Sequence, residues 1–424
     1  MYATASPPRQ EPRINPPAIK LLQIFPILPY PPRTGGRLRA WNLCSRLSSR
    51  IDQTVLCRTE HPPAPENLAP FAARQVRLHA LYIPRPRPAV RLLKGLRFLL
   101  SPYPVMLAGW DHRLMRRRLA ELLRSDDFDL VVVDGSPLCV YMPVLRRCRA
   151  LKVVHLYDLE AEFLLRQARV MPPGPRKLMA LLDAARMQRA EERMLREADL
   201  IMVTSERERA ILLKQNPRCS IAIVSNGVDC RVCRPLPVDG GREILYIGSL
   251  QYPPNVDAVL YFAAEVWPAL HARFPDLVFR VVGRCPSEEL RRLQGSGGVC
   301  MTGEVDDVEP YYRRAALCVV PLRAGGGTRL KILEAFAYGR PVVSTTLGCE
   351  GLDAVDGAHL LVADKPADMH AQIARVLTEP DLARDLCANG RALVENRYSW
   401  DRIAADLYGV YERLVAEKSV IGNR

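Results

Sequence analysis

A strand, a glycine turn, a helix and a second strand follow one another in ALCVVPLRAGGGTRLKILEAFAYGRPVVSTT (316–346). Three successive glycines at 325–327 let backbone amides approach an anion closely. Thr328 is placed to cap a helix that starts near Arg329, and phosphates bind readily at such a helix N-terminus. The segment therefore predicts a phosphate-binding turn between two strands.

The helix in this segment carries polar side chains on one face. Lys331 and Glu334 are three residues apart and share that face, while the leucines share the opposite, buried face. One interpretation is a ligand site in which Arg329 and Lys331 hold a diphosphate and Glu334 accepts hydrogen bonds from sugar hydroxyls. The alternative is a capped surface helix with an ordinary Lys–Glu pair.

The same alternation of short apolar strands and helices extends along the rest of the chain. A first series runs from AIKLLQIFPIL (18–28) to SIAIVSNGVD (220–229), and a second starts at REILYIGSL (242–250). Short strands rich in Val and Ile between helices are typical of parallel sheets that are covered on both faces. We therefore predict an α/β chain with two doubly wound, Rossmann-like domains that face a cleft.

The chain of 424 residues has the usual length of two domains. Its first residues are polar and rich in proline, which predicts a disordered tail. The predicted organisation is a tail at 1–17, a first domain at 18–235, a second domain at 236–397, and a C-terminal helix at 398–418 that crosses back to the first domain.

Composition argues against several classes of protein. No apolar run reaches the ~18–20 residues that a bilayer-spanning helix needs, and the N-terminus lacks the apolar core of a secretory signal. The 12 cysteines are scattered, and a single CxxC pair, Cys230 and Cys233, is weak support for zinc. We expect reduced thiols and no bound metal.

The net charge of +14 is concentrated between residues 85 and 124, where ten lysines and arginines occur with two acids. Two helical runs in this stretch place basic residues opposite leucines, a pattern typical of helices that lie on anionic membranes. The basic residues assigned to this membrane or acceptor surface are Arg91, Lys94, Arg97, Arg116 and Arg117. The alternatives are a solvated face of a core-packed helix and nucleic-acid binding, for which no recognition motif is present.

Eight segments spread over residues 18–418 resemble the retaining glycosyltransferases of family 4, which have the GT-B fold. Within that family the chain is similar to sugar transferases of bacterial exopolysaccharide gene clusters. The matching segments are PPRTGGRLRAWNL (31–43), ADLIMVTSERE (198–208), VSNGVD (224–229), YIGSLQYPPNVDAVLYFAAEVWP (246–268), FRVVGR (279–284), VCMTGEVDDVEPYYRRA (299–315), GGGTRLKILEAFAYGRPVVST (325–345) and YSWDRIAADLYGVYERL (398–414).

The resemblance implies donor-binding roles for residues that match the family. The glycine turn after the family's first strand faces the donor diphosphate, and the family's ribose-binding carboxylate aligns with Glu334. The residues assigned to donor binding are Gly35, Gly36, Gly248, Gly326, Gly327, Thr328, Arg329, Lys331 and Glu334.

The resemblance also implies that a histidine at the end of an N-domain strand lines the sugar pocket. His155 in KVVHLYD is the matching residue, and we assign it to catalysis together with Glu334. The alternative is a histidine in the core or behind the site, in which case Asp158 or Glu162 would line the pocket.

Three positions depart from the family pattern. The earlier of the family's two glutamates is Gly326 here, and the Arg and Lys after the first strand of the second domain correspond to Ser249 and Asn255. Our hypothesis is that Arg329 and Lys331 supply the missing positive charge.

The resemblance implies transfer of a hexose from a nucleotide-sugar to a lipid-linked or oligosaccharide acceptor, with retention and without a metal. The expected partners are this donor, the acceptor and an anionic membrane surface. The expected location is cytoplasmic and peripheral, at the inner face of the plasma membrane. Two alternatives stay open: a nucleotide-sugar epimerase of the same fold, and a non-catalytic nucleotide-sugar-binding scaffold of a polysaccharide complex.

Overall fold

The computed structural model describes residues 2–4, 19–84, 90, 93, 95–96, 98, 101–157, 159–237, 241–284, 288–325 and 330–422. The chain forms two compact units. Unit 1 comprises Met1–Val224 and Ala404–Arg424, and unit 2 comprises Ser225–Ile403. The C-terminal helix Trp400–Gly422 thus begins in unit 2 and continues in unit 1.

Unit 1 contains an eight-stranded sheet in which all neighbouring strands except one pair are parallel. The strands are β1 (Tyr2–Thr4), β2 (Lys20–Ile24), β3 (Asp52–Thr59), β4 (Arg77–Tyr82), β5 (Leu130–Asp134), β6 (Leu151–His155), β7 (Leu200–Val203) and β8 (Ile221–Ile223). Their order across the sheet is β1-β4-β3-β2-β5-β6-β7-β8.

Strand β1 lies within residues 1–17, for which the sequence predicts a disordered tail. Residues 2–4 pair antiparallel with β4, with Ala3 opposite Ala80. The physical reason is that β4 would otherwise leave the backbone groups of a sheet edge unpaired, and an added strand satisfies them. The remainder of the predicted tail lies outside the described residues.

The helices of unit 1 connect its strands. The α-helices are Gly35–Leu47, Pro65–Ala72, Arg113–Ser125, Met142–Leu145, Glu160–Val170, Pro175–Glu197 and Glu206–Gln215, and the 3-10 helices are Val105–Gly109 and Ser136–Tyr141. The start of Glu206–Gln215 shows the local cause of such a boundary. Ser205 and Glu208 form a reciprocal capping box that satisfies two backbone amides of the first turn.

Unit 2 contains a six-stranded, entirely parallel sheet in the order β11-β10-β9-β12-β13-β14. The strands are β9 (Glu243–Ile247), β10 (Val278–Val282), β11 (Val299–Gly303), β12 (Ala315–Val320), β13 (Val342–Ser344) and β14 (Leu361–Val362). The α-helices are Pro253–Tyr261, Trp267–Arg273, Glu288–Arg291, Glu309–Arg314, Leu330–Ala337, Pro366–Thr378 and Pro380–Leu393. Two π-helical segments, Phe262–Val266 and Val394–Tyr398, and a 3-10 helix, Ser296–Gly298, complete the unit.

The centre of the unit 2 sheet is buried on both faces, as its near-continuous apolar strands predict. Ile244, Leu245 and Phe279 of β9 and β10 are at most 1% exposed. The helix Leu330–Ala337 packs closely against the helix Pro380–Leu393. The approach is so close that a Cβ atom at Gly390 would lie 2.7 Å from the Phe336 ring. Both units are thus α/β domains with parallel sheets, which confirms the predicted fold class.

Across the described ranges, we find no helix that combines the length and the apolar character needed to cross a membrane.

Candidate functional site

The strand order of unit 2 places a crevice at the carboxyl ends of β9 and β12. From β9 the chain proceeds outward to β10 and β11, and then returns to the other side of β9 to form β12. Doubly wound domains bind ligands where the strand order reverses in this way. Gly248 directly follows β9, and the helix Leu330–Ala337 is the next described helix after β12. Three of the predicted donor residues, Gly248, Lys331 and Glu334, therefore lie at this edge of the sheet.

Lys331 projects its ammonium group into a polar cluster at this edge. Its Nζ donates to the Tyr246 hydroxyl at 2.9 Å and to Asn255 Oδ1 at 3.1 Å. The same Nζ lies 4.1 Å from the centroid of the Tyr246 ring, within cation–π distance. These contacts fix a positive charge beside the end of β9.

Asn255 is in turn held by the backbone of the loop that follows β9. Its Nδ2 donates to the Ser249 carbonyl at 2.9 Å, and its Oδ1 accepts from the Tyr246 hydroxyl at 2.8 Å. Ser249 and Asn255, two of the three positions that depart from the family pattern, are therefore in direct contact with each other. Asn255 is also in contact with Lys331, which the sequence hypothesis assigned to supply the missing charge.

Gly248 makes this cluster sterically possible. A Cβ atom at that position would lie 2.9 Å from Asn255 Nδ2 and 2.9 Å from Lys331 Nζ, closer than real Cβ contacts. The neighbouring Gly283 is equally constrained, since its Cβ would lie 2.0 Å from the Gly248 carbonyl oxygen. Only glycine allows the backbone and the ammonium group to approach each other here.

Glu334 lies one turn after Lys331 on the same helix and is half-buried. Burial raises the pKa of its carboxyl to about 7, although the Tyr312 hydroxyl and the Lys331 charge favour the ionised form. Tyr312 is 3.4 Å from Glu334 Oε2 and stacks on Tyr338 with ring centroids 4.5 Å apart. The carboxyl thus sits at the edge of a packed aromatic pair, where it is able to accept hydroxyl hydrogen bonds.

The remaining donor residues predicted in unit 2 cannot be placed. Gly326, Gly327, Thr328 and Arg329 lie outside the described residues. Among the residues that the structure does describe, no three His, Cys, Asp or Glu side chains form a group that would hold a metal ion.

The glycine turn predicted in unit 1 lies at a helix start beyond the carboxyl end of β2. Gly35 and Gly36 open the helix Gly35–Leu47 and are both exposed. A Cβ atom at Gly36 would have no described atom within 4 Å. The turn is therefore accessible to a ligand from solvent.

His155 ends strand β6, as predicted, but its ring is buried in a polar network. Arg39 Nε donates to His155 Nε2 at 3.0 Å, and His155 Nδ1 lies 3.4 Å from Asp134 Oδ1. All three side chains are 1% exposed. Burial and the Arg39 charge lower the pKa of His155, which favours a neutral ring that accepts from Arg39 through Nε2. This geometry favours the alternative interpretation, a histidine that positions its neighbours from the core.

Asp134 is the centre of that network. It accepts from Gln23 Nε2 at 2.8 Å and from the Tyr157 hydroxyl. Arg39 also donates to the Val224 carbonyl at 2.5 Å, which ties the first helix to the end of β8. The network therefore joins five elements of unit 1 at the carboxyl side of its sheet.

The two alternative pocket residues differ in what the structure shows of them. Glu162 accepts from Arg166 Nη2 at 2.6 Å and from Arg207 Nη2 at 2.7 Å. These two ion pairs compensate its charge within unit 1. Asp158 lies outside the described residues.

The predicted basic surface is only partly visible. Arg116 forms an ion pair with Asp111 at 2.6 Å, and Arg117, 62% exposed, pairs with Glu121 at 3.4 Å. Both charges are thus partly neutralised within unit 1. Arg91, Lys94 and Arg97 lie outside the described residues.

An exposed apolar surface, which the sequence analysis did not identify, lies on the pair of packed helices Glu160–Val170 and Pro175–Glu197. The side chains of this hairpin surface, all at least 36% exposed, are Leu165, Leu178, Met179, Leu181 and Leu182. Between residues 163 and 186 five basic residues occur with a single acid, Asp183. The sequence signal was the run KLMALL (177–182), whose leucines and methionine exceed the width of one buried helix face.

The structural comparisons show the class of protein to which this fold belongs. Sucrose-phosphate synthase from Thermosynechococcus elongatus superposes with a TM-score of 0.68 and 19% identity, over 94% of this chain and all of that one. The Anabaena protein HepE, solved in complex with UDP-glucose, superposes with a TM-score of 0.66 and 14% identity, over 93% of this chain and all of that one. The fold is therefore that of the two-domain GT-B glycosyltransferases.

The sequence comparisons show the family. A glycosyl transferase 4-like domain matches residues 34–227, and a glycosyl transferases group 1 domain matches residues 241–379. The chain belongs to family 4 of the GT-B glycosyltransferases. The phosphatidyl-myo-inositol mannosyltransferase of Mycolicibacterium smegmatis is 32% identical over 200 residues, which are 45% of this chain and 51% of that protein. The chain spans about half of the length of the first curated relatives that it matches.

Proposed function

We propose that the protein transfers a hexose, with retention, from a nucleotide-sugar donor to a lipid-linked or oligosaccharide glycan acceptor. The process served would be the synthesis of an exopolysaccharide or another cell-surface polysaccharide. The observation that carries the proposal is the pair of Lys331 and Glu334 at the carboxyl edge of the unit 2 sheet. A cation and a hydroxyl-accepting carboxyl one helical turn apart suit the diphosphate and the ribose of one nucleotide.

The donor diphosphate would bind beside Lys331, near the end of β9. The ammonium group is already oriented by the Tyr246 hydroxyl and Asn255 Oδ1, so little side-chain entropy is lost when a phosphate binds. Glu334 would accept hydrogen bonds from the ribose hydroxyls. The UDP-glucose complex of HepE supports a nucleotide-sugar as the class of donor.

The chemical step would depend on stabilising the leaving diphosphate. The bond between the anomeric carbon and the diphosphate oxygen breaks, while a bond to the acceptor oxygen forms on the same face of the sugar. Gly326 offers no carboxylate for a covalent intermediate, so attack occurs directly on the donor. The acceptor proton passes to the departing phosphate. Fixed cations and backbone amides stabilise the negative charge of the phosphate, an effect often worth several kcal/mol. We propose that this step needs no metal.

The acceptor side is proposed to lie in unit 1, with the protein peripheral at the inner face of the plasma membrane. The name of the M. smegmatis relative, a phosphatidyl-myo-inositol mannosyltransferase, supports a lipid-linked acceptor. The exposed leucines of the hairpin surface and their basic flanks support contact with anionic lipid.

A thermal-shift screen tests the donor proposal. The full-length protein is heated with UDP-, GDP-, dTDP- and ADP-sugars, beside Glu334→Ala and the control Glu289→Ala, an exposed glutamate of unit 2. A ligand at 100 times its dissociation constant adds about 2.7 kcal/mol of stability. We expect one nucleotide class to stabilise the parent and the control but not Glu334→Ala. No stabilisation by any of them would contradict the proposal.

Product analysis distinguishes a retaining transferase from the scaffold and epimerase alternatives. An α-linked product from an α-linked donor supports retention, and an inverted linkage contradicts it. Nucleotide-sugar binding without turnover on membrane-extracted acceptors would instead support the scaffold alternative, to which Gly326 in place of a glutamate points. Conversion of the donor without any acceptor would support the epimerase alternative.

A further inference from the structure

A cavity of about 440 Å³ opens in unit 1 at the carboxyl ends of β2 and β3. Its wall is formed by the segment after β2, the first helical turn after the glycines, and the residues that end and follow β3. Parallel strands of this fold direct ligands to that edge of the sheet. The volume suits a sugar of one or two rings.

Arg37 and Thr59 line the cavity, and each has a buried polar atom with no hydrogen-bond partner among the described residues. These atoms are Nε of Arg37 and Oγ1 of Thr59. Arg37 also forms no ion pair with any carboxylate that the structure describes. Buried polar groups in folded proteins are nearly always hydrogen-bonded, so an unpaired guanidinium N–H and an unpaired hydroxyl at one wall indicate a place for a further polar partner. Both groups are hydrogen-bond donors.

A second guanidinium makes the cavity electropositive. Arg58 stacks over the Trp110 ring at 4.3 Å and donates to the Gly109 carbonyl at 2.7 Å. Glu60, the carboxylate in the wall, lies 3.6 Å from the Arg58 guanidinium. Two guanidiniums therefore face one carboxylate, and guanidinium groups bind phosphate and carboxylate oxygens in a bidentate way.

Aromatic side chains complete the wall. Tyr30 and Trp110 line the cavity, and Tyr30 is fixed edge-to-face on Trp41 with ring centroids 5.0 Å apart. Aromatic rings with a few polar groups are typical of small-molecule sites. The combination suits a hydroxylated ring that carries a negative charge.

We propose that this cavity binds the acceptor through an anionic group, a phosphate or a carboxylate, on its sugar, with Arg37 and Thr59 as its donors. The inference rests on the proposed function, since it names the class of acceptor that the transferase would use. Gly35 and Gly36, which the family resemblance assigns to the donor diphosphate, do not line the cavity. The donor and the acceptor anion would therefore bind at separate places.

Isothermal titration of the full-length protein tests the proposal with four probes: glucose 6-phosphate, glucuronate, glucose and inorganic phosphate. The first two distinguish a phosphate from a carboxylate, and the last two test whether the charge or the sugar alone is sufficient. The variants are Arg37→Gln, Arg37→Lys, Thr59→Val and, as the matched control, Arg218→Gln, an exposed arginine of unit 1.

We expect one of the two anionic sugars to bind at least about tenfold more tightly than glucose and than inorganic phosphate. Arg37→Gln should remove that preference, Arg37→Lys should restore part of it, and Arg218→Gln should leave it unchanged. Equal affinity in Arg37→Gln, no binding of either anionic sugar, or full competition by UDP would each overturn the proposal.

The donor screen distinguishes failure of the cavity proposal from failure of the transferase proposal. If Arg37→Gln loses the anionic sugar while nucleotide-sugars still stabilise it, both proposals are supported. If the anionic sugar binds through Arg37 and no nucleotide-sugar binds, the cavity proposal is supported and the transferase proposal is contradicted. If nucleotide-sugars bind and the anionic sugars do not, only the cavity proposal is overturned.

Discussion

The Lys331 ammonium lies 3.1 Å from the side-chain oxygen of Asn255, although 76 residues separate the two along the chain. Position 255 is where the family pattern expects a lysine that grips the donor diphosphate. The helix Leu330–Ala337, which follows β12, thus places a positive charge beside Asn255. This contact is the one that the hypothesis of Lys331 as the replacement cation requires.

Gly248 should be essential for that arrangement. In Gly248→Ala the new methyl group would displace the Lys331 ammonium and the Asn255 amide, each 2.9 Å from its position. We expect donor affinity to fall at least about tenfold, since one charge-assisted phosphate contact is worth ~1.5–3 kcal/mol. Thermal shift with the nucleotide-sugar measures it. Gly409→Ala, where the nearest atom is an ordinary 3.6 Å away, is the control and should bind normally. Normal binding by Gly248→Ala would contradict the account.

Glu334 should make stability depend on pH. Burial holds the pKa of its carboxyl near 7, above the ordinary 4.5, so the folded protein favours the neutral form. That stabilisation is complete below about pH 4.5 and is lost as the pH rises through 7. Glu334→Gln, which stays neutral, should therefore gain stability relative to the parent between pH 5 and pH 8. We expect a gain of roughly 1–3 kcal/mol, because one pKa unit corresponds to about 1.4 kcal/mol.

Thermal unfolding at pH 5, 6, 7 and 8 measures this difference. The control is Glu289→Gln, whose exposed carboxyl should leave the difference from the parent constant with pH. A constant difference for Glu334→Gln as well would show that its carboxyl titrates normally.

The hairpin surface should bind anionic lipid. Leu178 and Leu182, 61% and 46% exposed, are replaced together by glutamate, which removes apolar contact and adds negative charge. Co-sedimentation with phosphatidylglycerol vesicles should fall at least about fivefold, because each lost leucine and each added charge weakens interfacial binding. Val232→Glu, at a 68% exposed valine of unit 2, is the matched control and should bind like the parent. Unchanged binding of the double variant would exclude this surface as the lipid contact.

Most of the fold was predictable from the sequence because periodicity and glycine turns are local signals. The predicted strands QTVLCRT (53–59) and FDLVVVDGS (128–136) agree with β3 and β5, and their ends differ by at most two residues. Strand β1 was missed because nothing local in YAT (2–4) favours a strand; pairing with a distant edge does. Elements defined by long-range pairing alone leave little trace in the sequence.

The site was predictable only in part, for the same reason. Lys331 and Glu334 were found from their spacing on one helix and a family motif. His155 was correctly placed at a strand end, but its burial depends on Arg39 and Asp134, which come from two other elements. The cavity around Arg37 has no sequence signature. Whether its Nε has a hydrogen-bond partner depends on which side chains folding brings next to it.

If Lys331 replaces a lysine of position 255, an exchange of the two side chains should preserve donor binding. The probe is the nucleoside diphosphate of the class found in the screen. It is titrated into the parent, into Lys331→Asn, and into the exchange variant that combines Asn255→Lys with Lys331→Asn. Lys365→Asn is the control. We predict a loss of affinity of at least about tenfold in Lys331→Asn, no change in the control, and recovery to within a few-fold in the exchange variant. Unchanged affinity in Lys331→Asn, or no recovery in a folded exchange variant, would contradict the account.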